Sequence, residues 1–211
     1  INSPGGSPVQ AGYINDEIRR LRKKHEDIPV YAVVADLCAS GGYYIAVAAD
    51  EIYVSEASLV GSIGERIDSF GFEEAMEELG IERRLLTAGD NKGILDPFSP
   101  LPEEQRAYLE SMLDQIHQQF IAVVKEGRGD RLKGGDELFS GLIWTGEESL
   151  ELGLADALGS TGYVAREVVG AEKTVKFTAD KDLLERLAER LGSAFARALL
   201  EVIASGYPAV Q

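Results

Sequence analysis

The fold is decided by one stretch, which reads Asp36-Leu37-Cys38-Ala39-Ser40-Gly41-Gly42-Tyr43-Tyr44-Ile45-Ala46. An apolar run, residues 30–35, leads into it, and a run of small and apolar residues, 43–49, leads out. This pattern predicts a strand, a tight turn at Ser40 and a helix. The amides after Ser40 would lie at a helix N-terminus, which favours negative charge. Two interpretations follow: Ser40 is a nucleophile beside half of an oxyanion site, or it only caps the helix.

The rest of the chain alternates strands and helices in the same way. Helices are predicted over residues 11–24, 41–48, 73–79 and 102–126, and strands over residues 30–37, 51–55 and 83–87. Turns or loops are predicted over residues 59–64, 88–98 and 127–135. This order implies βα units around a parallel sheet, and therefore an α/β fold.

The C-terminal third continues the pattern. Thr145 and Glu148 have the spacing of a capping box that opens a further helix. Residues 153–159 are predicted to form a compact turn and strand, and residues 175–177 a last strand. An amphipathic helix is predicted over residues 181–204, with an apolar face that packs on the core or on a neighbouring subunit.

Composition excludes several classes of protein. The 211-residue chain has a net charge of -15, so it lacks the basic surface that nucleic-acid binding requires. Its single cysteine, Cys38, cannot form a disulfide within the chain. No apolar run is long enough to span a membrane. Because the chain begins at Ile1 and opens on a turn, we expect it to be a trimmed or processed product that lacks upstream strands and a membrane anchor.

A nucleophilic Ser40 needs a base that takes its proton. His25 lies at the end of a charged predicted helix and His117 in the middle of another, so a Ser-His-Asp triad has little support. The thiol of Cys38 lies in an apolar strand and is expected to be inert. Lys92 is isolated from other basic residues in a Gly-rich loop, but residue type and position alone favour a solvated loop lysine over a base. The Gly5-Gly6 turn can form an anion-binding nest.

Several motifs in order resemble the signal peptide peptidase A family of bacterial serine proteases. They are Asn2-Ser3-Pro4-Gly5-Gly6, Ala39-Ser40-Gly41-Gly42-Tyr43-Tyr44-Ile45-Ala46, Gly61-Ser62-Ile63-Gly64, Gly89-Asp90-Asn91-Lys92 with Pro97-Phe98, Trp144-Thr145-Gly146 and Gly153-Leu154-Ala155-Asp156. The resemblance implies a crotonase-like (Clp-protease-like) α/β fold in the short, single-domain form of the family. Residues 1–165 would form the protease core without its first strands, and residues 166–211 a C-terminal strand and helix.

The same resemblance implies roles for individual residues. Ser40 would be the nucleophile, Lys92 the general base and Ser62 a serine that orients the lysine. The N–H groups of Gly5, Gly6 and Gly41 would form the oxyanion hole, and no cofactor or metal is implied. The segment Glu65-Arg66-Ile67-Asp68 departs from the apolar continuation expected there, which affects the substrate groove.

Substrates and partners follow from the resemblance as well. Apolar, membrane-derived peptides such as remnant signal peptides would be cleaved by a homo-oligomeric ring. The catalytic domain would be soluble but attached to the bacterial plasma membrane through the missing N-terminal anchor, on a side that the sequence leaves open. Two alternatives are a crotonase-fold enzyme acting on an acyl-thioester, and a non-catalytic membrane-associated relative. The first would need a catalytic acid near the Gly turns and a nucleotide groove, and neither is evident.

Overall fold

The computed structural model describes residues 1–171 and 173–177. The chain divides into two compact units, Ile1–Ala171 and Glu172–Gln211. Residues 173–177 have no regular secondary structure, so the strand predicted over residues 175–177 is wrong. The helix predicted over residues 181–204 lies outside the described residues.

The first unit contains short strands and helices in alternation. The strands are β1 (Tyr31–Val33), β2 (Leu37–Ala39), β3 (Glu51–Val54), β4 (Leu59–Gly61), β5 (Ile143–Thr145) and β6 (Ala157–Leu158). The helices are α1 (Pro8–Lys24), α2 (Gly41–Ala46), α3 (Glu73–Glu78), α4 (Glu103–Arg128), α5 (Gly146–Glu151) and α6 (Thr161–Tyr163). Short 3₁₀ turns follow α4 and precede β5, and a π-helical turn, Val164–Val168, follows α6.

The strands form two three-stranded sheets, in the orders β1-β3-β6 and β2-β4-β5. All pairs in the first sheet are parallel, as is β2 with β4, whereas β4 and β5 are antiparallel. The α/β class with parallel strands is therefore confirmed, with the strands divided between two sheets. Among residues 1–171 and 173–177, no helix combines the length and apolar composition that crossing a bilayer requires.

The strand predicted over residues 30–37 is in fact divided between the two sheets. The buried Ser58 hydroxyl donates to the Ala35 carbonyl (2.6 Å) and accepts from the Ser55 amide (3.0 Å). The Ala35 amide donates to the Ile1 carbonyl at 2.8 Å. Residues 34–36 therefore leave the first sheet and enter the second, and this bend aims β2 at Ser40.

Three other local predictions are wrong for identifiable reasons. Residues 83–87 form no strand, because the two arginines and two leucines there stand in pairs and cannot alternate between a buried and an exposed face. Residues 59–61 form β4, a strand whose apolar residues were too few to signal it. The segment 127–135 is not simply an exposed loop, because Arg128 is buried.

Arg128 anchors the C-terminus of α4 to the first sheet. Its guanidinium donates to both carboxylate oxygens of Asp156 at 2.7 and 2.9 Å, and to the Gly153 carbonyl at 2.8 Å. Asp156 also accepts from the Ile52 amide of β3 at 2.7 Å. The Gly153-Leu154-Ala155-Asp156 motif therefore supplies the partner of a buried arginine.

The core between α2, α4 and the sheets fixes the helix that follows Ser40. Tyr43 is fully buried and its hydroxyl donates to the Leu154 carbonyl at 2.8 Å. The ring of Tyr44 packs on Phe120 of α4 with a centroid separation of 5.1 Å. Because α2 is only six residues long, this packing and not helix propensity holds it in place.

Candidate active site

Ser40 lies at the junction of β2 and α2 in a strained backbone conformation. Its φ is 51° and its ψ is -122°, a backbone conformation that residues other than glycine rarely adopt. Such a residue costs about 1–3 kcal/mol and occurs mostly at functional sites. The Ser40 amide donates to the Gly61 carbonyl of β4 at 2.9 Å, which holds the turn. The Ser40 side chain makes no capping bond to α2, so the interpretation that it only caps the helix is wrong.

The N-terminal Gly turn lies directly beside Ser40. Ser3 makes an isolated parallel β-bridge with Cys38. The Ser3 amide donates to the Leu37 carbonyl (2.7 Å), and the Ser3 carbonyl accepts from the Ala39 amide (3.0 Å). This pairing carries the chain past the end of β2, so that a Cβ atom on Gly5 would lie 2.7 Å from the Cβ of Ser40. Gly5 has a φ of 109°, which only glycine adopts without strain.

The amides of Gly6 and Gly41 lie near each other at this point. A Cβ atom on Gly41 would lie 3.2 Å from the Gly6 nitrogen. Within the described part of the chain, the Gly6 amide has no acceptor, and Gly41 begins α2, where the first N–H groups have no partner in the helix. The Gly5 amide, by contrast, donates to the Ser3 hydroxyl at 3.2 Å.

Ser62 follows β4 and also has a positive φ, 52°. Its amide donates to the Leu142 carbonyl at 2.7 Å, which fixes the turn after β4 against the segment before β5. Ser40 and Ser62 line one cleft of about 550 Å³. The other lining residues are Pro4, Gly6, Gly64, Glu65, Arg66, Ser140 and Gly141.

Lys92 has a different environment from the two serines. It is exposed in the turn-rich segment 88–98 and is not among the residues that line the cleft. Within the described residues its ammonium group makes no hydrogen bond or ion pair, while the neighbouring Asn91 accepts from Gln105 of α4 at 3.1 Å. The structure thus brings Ser40, Ser62 and the three glycines together and leaves Lys92 outside their cleft.

Neither the thiol nor the histidines compete for the role of nucleophile or base. Cys38 is fully buried, and burial raises the pKa of its thiol to about 12, so the thiol stays protonated. His117 bonds through Nε2 to the Ile63 carbonyl at 3.1 Å, and neither His117 nor His25 lines the Ser40 cleft. Across the described ranges, no group of His, Cys, Asp and Glu side chains is placed to bind a metal ion.

Sequence reasoning missed several residues of the cleft. Ser140 and Gly141 reach it only through the antiparallel pairing of β5 with β4, which no local pattern signalled. Glu65 and Arg66 were noticed only as a departure from an expected apolar run. Burial raises the pKa of the Glu65 carboxyl, and the nearby His117 acts in the opposite direction.

The sequence comparisons agree with this geometry. The model of Peptidase family S49 matches residues 22–176. A Brucella abortus protein named Na(+)/H(+) antiporter NhaA is 46% identical over 176 residues, which are 83% of this chain and 24% of that protein. The chloroplastic serine protease SPPA of Arabidopsis thaliana is 31% identical over 160 residues, covering 75% of this chain and 23% of that protein. Protease 4 of Haemophilus influenzae is 29% identical over 160 residues, covering 76% and 26%.

The chain spans about a quarter of these curated relatives. Among solved structures, a variant of the 1510-N membrane-bound stomatin-specific protease in complex with a substrate peptide aligns with a TM-score of 0.45 and 18% identity, over 90% of this chain and 80% of that one. A member of the enoyl-CoA hydratase/isomerase family aligns with a TM-score of 0.33 and 17% identity, over 74% and 40%. The model of Peptidase family S49 covers most of the length of this chain, and the chain therefore belongs to that family.

Proposed function

We propose that the chain is the catalytic part of a serine endopeptidase in which Ser40 is the nucleophile and Lys92 the general base. The observation that carries the proposal is the strained turn at Ser40. Its hydroxyl is free of the helix that it precedes and stands in a cleft beside glycine amides. Membership of a peptidase family supports the same assignment.

The reaction would be acyl transfer. Lys92 takes the proton of the Ser40 hydroxyl while Oγ attacks the peptide carbonyl carbon and forms a tetrahedral intermediate. The C–N bond then breaks, the amine leaves with the proton from Lys92, and an acyl-enzyme ester remains. Water, deprotonated by the same lysine, hydrolyses this ester and restores Ser40.

The oxyanion of the tetrahedral intermediate would be bound by the Gly6 and Gly41 amides. One donor of this kind is commonly worth about 10²–10³ in kcat. The N-terminus of α2 adds a small favourable field. For Gly5, which the sequence suggested as a third donor, we propose a different task, because its amide already donates to Ser3. Its missing side chain leaves the space that Ser40 occupies.

The exposed position of Lys92 determines what the dyad requires. A lysine acts as a base near neutral pH only where desolvation favours the uncharged amine. The segment 88–98 must therefore carry Lys92 into the cleft, or the lysine of a neighbouring copy must enter it. Ser62, already in the cleft, would then accept a hydrogen bond from the lysine and orient it.

For substrates we propose apolar, membrane-derived peptides, including remnant signal peptides, as the family resemblance implies. A homo-oligomeric ring is proposed from the same source. Large apolar side chains on the segment 70–86 support it, because they are exposed in the single chain: Phe70 is 77% exposed, Leu79 73% and Leu86 95%. Attachment to a membrane, through a segment outside this chain, is part of the same proposal.

Cleavage of a fluorogenic apolar peptide tests the dyad. Ser40→Ala and Lys92→Ala should each lower kcat by at least about 10³-fold without changing the circular dichroism spectrum. Ser140→Ala, which alters another serine of the cleft, and Lys133→Ala, which alters another exposed lysine, are the matched controls and should remain active. Undiminished cleavage by either dyad variant would overturn the assignment.

Mixing the two inactive variants shows which chain supplies the base. Recovery of activity would mean that Lys92 acts on the Ser40 of a neighbouring copy. No recovery, with both variants folded, would mean that the segment 88–98 delivers Lys92 within its own chain.

A further inference from the structure

A second groove adjoins the Ser40 cleft and shares one wall with it. This groove has a volume of about 290 Å³ and lies between the N-terminal half of α1 and the middle of α4. Its lining includes Pro8, Val9, Tyr13, Asp16, Tyr44 and Ile116. Glu65 lines both the groove and the cleft, so it belongs to the wall that the two cavities share.

Two carboxylates at this groove form no ion pair within the described residues. In residues 1–171 and 173–177, neither Glu65 nor Asp16 forms an ion pair or a side-chain hydrogen bond. Two nearby arginines have other partners: Arg19 binds Glu126 and the Val123 carbonyl, although its Nε has no hydrogen-bond partner, and the exposed Arg66 pairs with Asp68. His117 is bonded to the Ile63 carbonyl.

Glu65 is also partly removed from water, and burial raises the pKa of its carboxyl. Desolvation makes the charged form of a partly buried carboxylate less stable, and a cation bound beside it offsets this cost. The geometry of the groove thus calls for a positive group close to Glu65.

The rest of the lining suits the stem of a long side chain. Val9 and Ile116 are aliphatic, and Tyr13 and Tyr44 add aromatic rings to the lining. A lysine or arginine packs its methylene groups on such surfaces while its charged end stays with carboxylates or ring faces. A purely aliphatic side chain would bury the same apolar area but leave both carboxylates unpaired.

We propose that Glu65 is a specificity-determining residue which, with Asp16, binds the lysine or arginine side chain of a peptide whose scissile bond lies at Ser40. The inference rests on the proposed function and sharpens its substrate class: an apolar peptide that carries a basic residue within a few positions of the scissile bond. Glu65 lines the cleft that holds Ser40 as well as the groove, so an extended peptide that runs along the cleft from Ser40 passes Glu65.

A matched peptide series measures this preference. One apolar fluorogenic peptide is prepared with lysine, norleucine or glutamate placed in turn at each position on both sides of the cleaved bond. At one position lysine should raise kcat/KM about 10-fold over norleucine, the size expected for a partly buried, charge-assisted contact. Glutamate at that position should be the poorest of the three.

Variants assign the preference to Glu65. Glu65→Gln should lower kcat/KM for the lysine peptide about 10-fold more than for the norleucine peptide, so that the advantage of lysine is lost, and Glu65→Lys should favour the glutamate peptide. Glu77→Gln, which removes an exposed carboxylate that lines neither cavity, is the matched control for net charge and should behave as the unaltered chain does. Equal rates for lysine and norleucine at every position, or an equal loss on both peptides in Glu65→Gln, would overturn the proposal.

Binding to the Ser40→Ala chain separates this inference from the proposed function. Fluorescence anisotropy should show the lysine peptide binding more tightly than the norleucine peptide, with the difference lost when Glu65→Gln is added. Selective binding without cleavage by the unaltered chain would contradict the peptidase function and support the groove. Cleavage without any lysine preference in rate or binding would support the peptidase function and contradict the role proposed for Glu65.

Discussion

Replacing Asp156 by alanine should destabilise the fold far more than its position near the surface suggests. The Arg128 side chain is 1% exposed and gives three hydrogen bonds, two of them to Asp156. The carboxylate also accepts from the Ile52 amide at 2.7 Å and from Arg131 at 3.3 Å. Asp156→Ala therefore leaves a buried guanidinium without its counter-charge and a strand amide without its acceptor.

Breaking a buried pair from one side costs about 3–5 kcal/mol, a large share of the 5–15 kcal/mol that stabilises a typical domain. Urea unfolding followed by the fluorescence of Trp144, the only tryptophan, gives the free energy directly. A shift of this size lowers the midpoint of thermal unfolding by about 10 °C. Glu17→Ala, which removes an exposed pair with Arg20, is the control and should leave the free energy of unfolding nearly unchanged.

The double variant Arg128→Met/Asp156→Leu tests the cause. Because it removes both charges and refills the space, it should recover most of the lost stability. A loss below about 1 kcal/mol in Asp156→Ala would refute the reasoning, as would a double variant less stable than the single one.

Three further predictions concern the site and its surroundings. Gly5→Ala places a Cβ against Ser40 at a φ of 109°, so it should slow labelling of Ser40 by a fluorophosphonate at least about 10-fold, whereas Gly12→Ala, which meets no atom within 4 Å, should not. Burial works to raise the pKa of Asp156, but the Arg128 hydrogen bonds, the Ile52 amide and the nearby charges outweigh it and hold this pKa below its ordinary value. The stabilisation from Asp156 should therefore be complete above about pH 4 and be lost as the pH falls further. In Asp156→Ala, the free energy of unfolding should fall less steeply with acidification than in the unaltered chain. An equally steep fall in both would contradict this. Because burial raises the pKa of Cys38 to about 12, a thiol reagent at pH 8 should modify it only in urea, and rapid modification of the native chain would show that β2 is exposed.

The parts of the fold that short-range patterns determine could be predicted from the sequence. The β2-Ser40-α2 turn, the long α4 and the Thr145 capping box all follow from local spacing, and the capping box is present with both of its bonds. The grouping of Ser40 and Ser62 in one cleft was implied by the family motifs.

Features set by contacts distant in sequence could not be predicted in this way. Residues 30–37 are apolar throughout, and the bend that divides them depends on Ser58 and Ile1. The burial of Arg128 depends on Asp156, which lies 28 residues further along the chain. The exposure of Lys92 depends on the conformation of the whole segment 88–98, so it could not be predicted from the residue type at position 92.

The exposure of Lys92 also makes the dyad testable. If the strain at Ser40 serves an activated nucleophile, its reactivity must depend on a lysine that the single chain leaves in water. A merely structural strain would give a hydroxyl that reacts no faster than the other serines of the cleft, Ser62 and Ser140.

The most direct measurement is the intact mass of the chain after treatment with a fluorophosphonate, followed by peptide mapping of the adduct. One adduct per chain is expected, on Ser40, and it should form at least about 10²-fold more slowly in Lys92→Ala and at an unchanged rate in Lys133→Ala. No adduct on Ser40, or an equal rate of labelling with and without Lys92, would contradict the assignment of Ser40 and Lys92 as a catalytic pair.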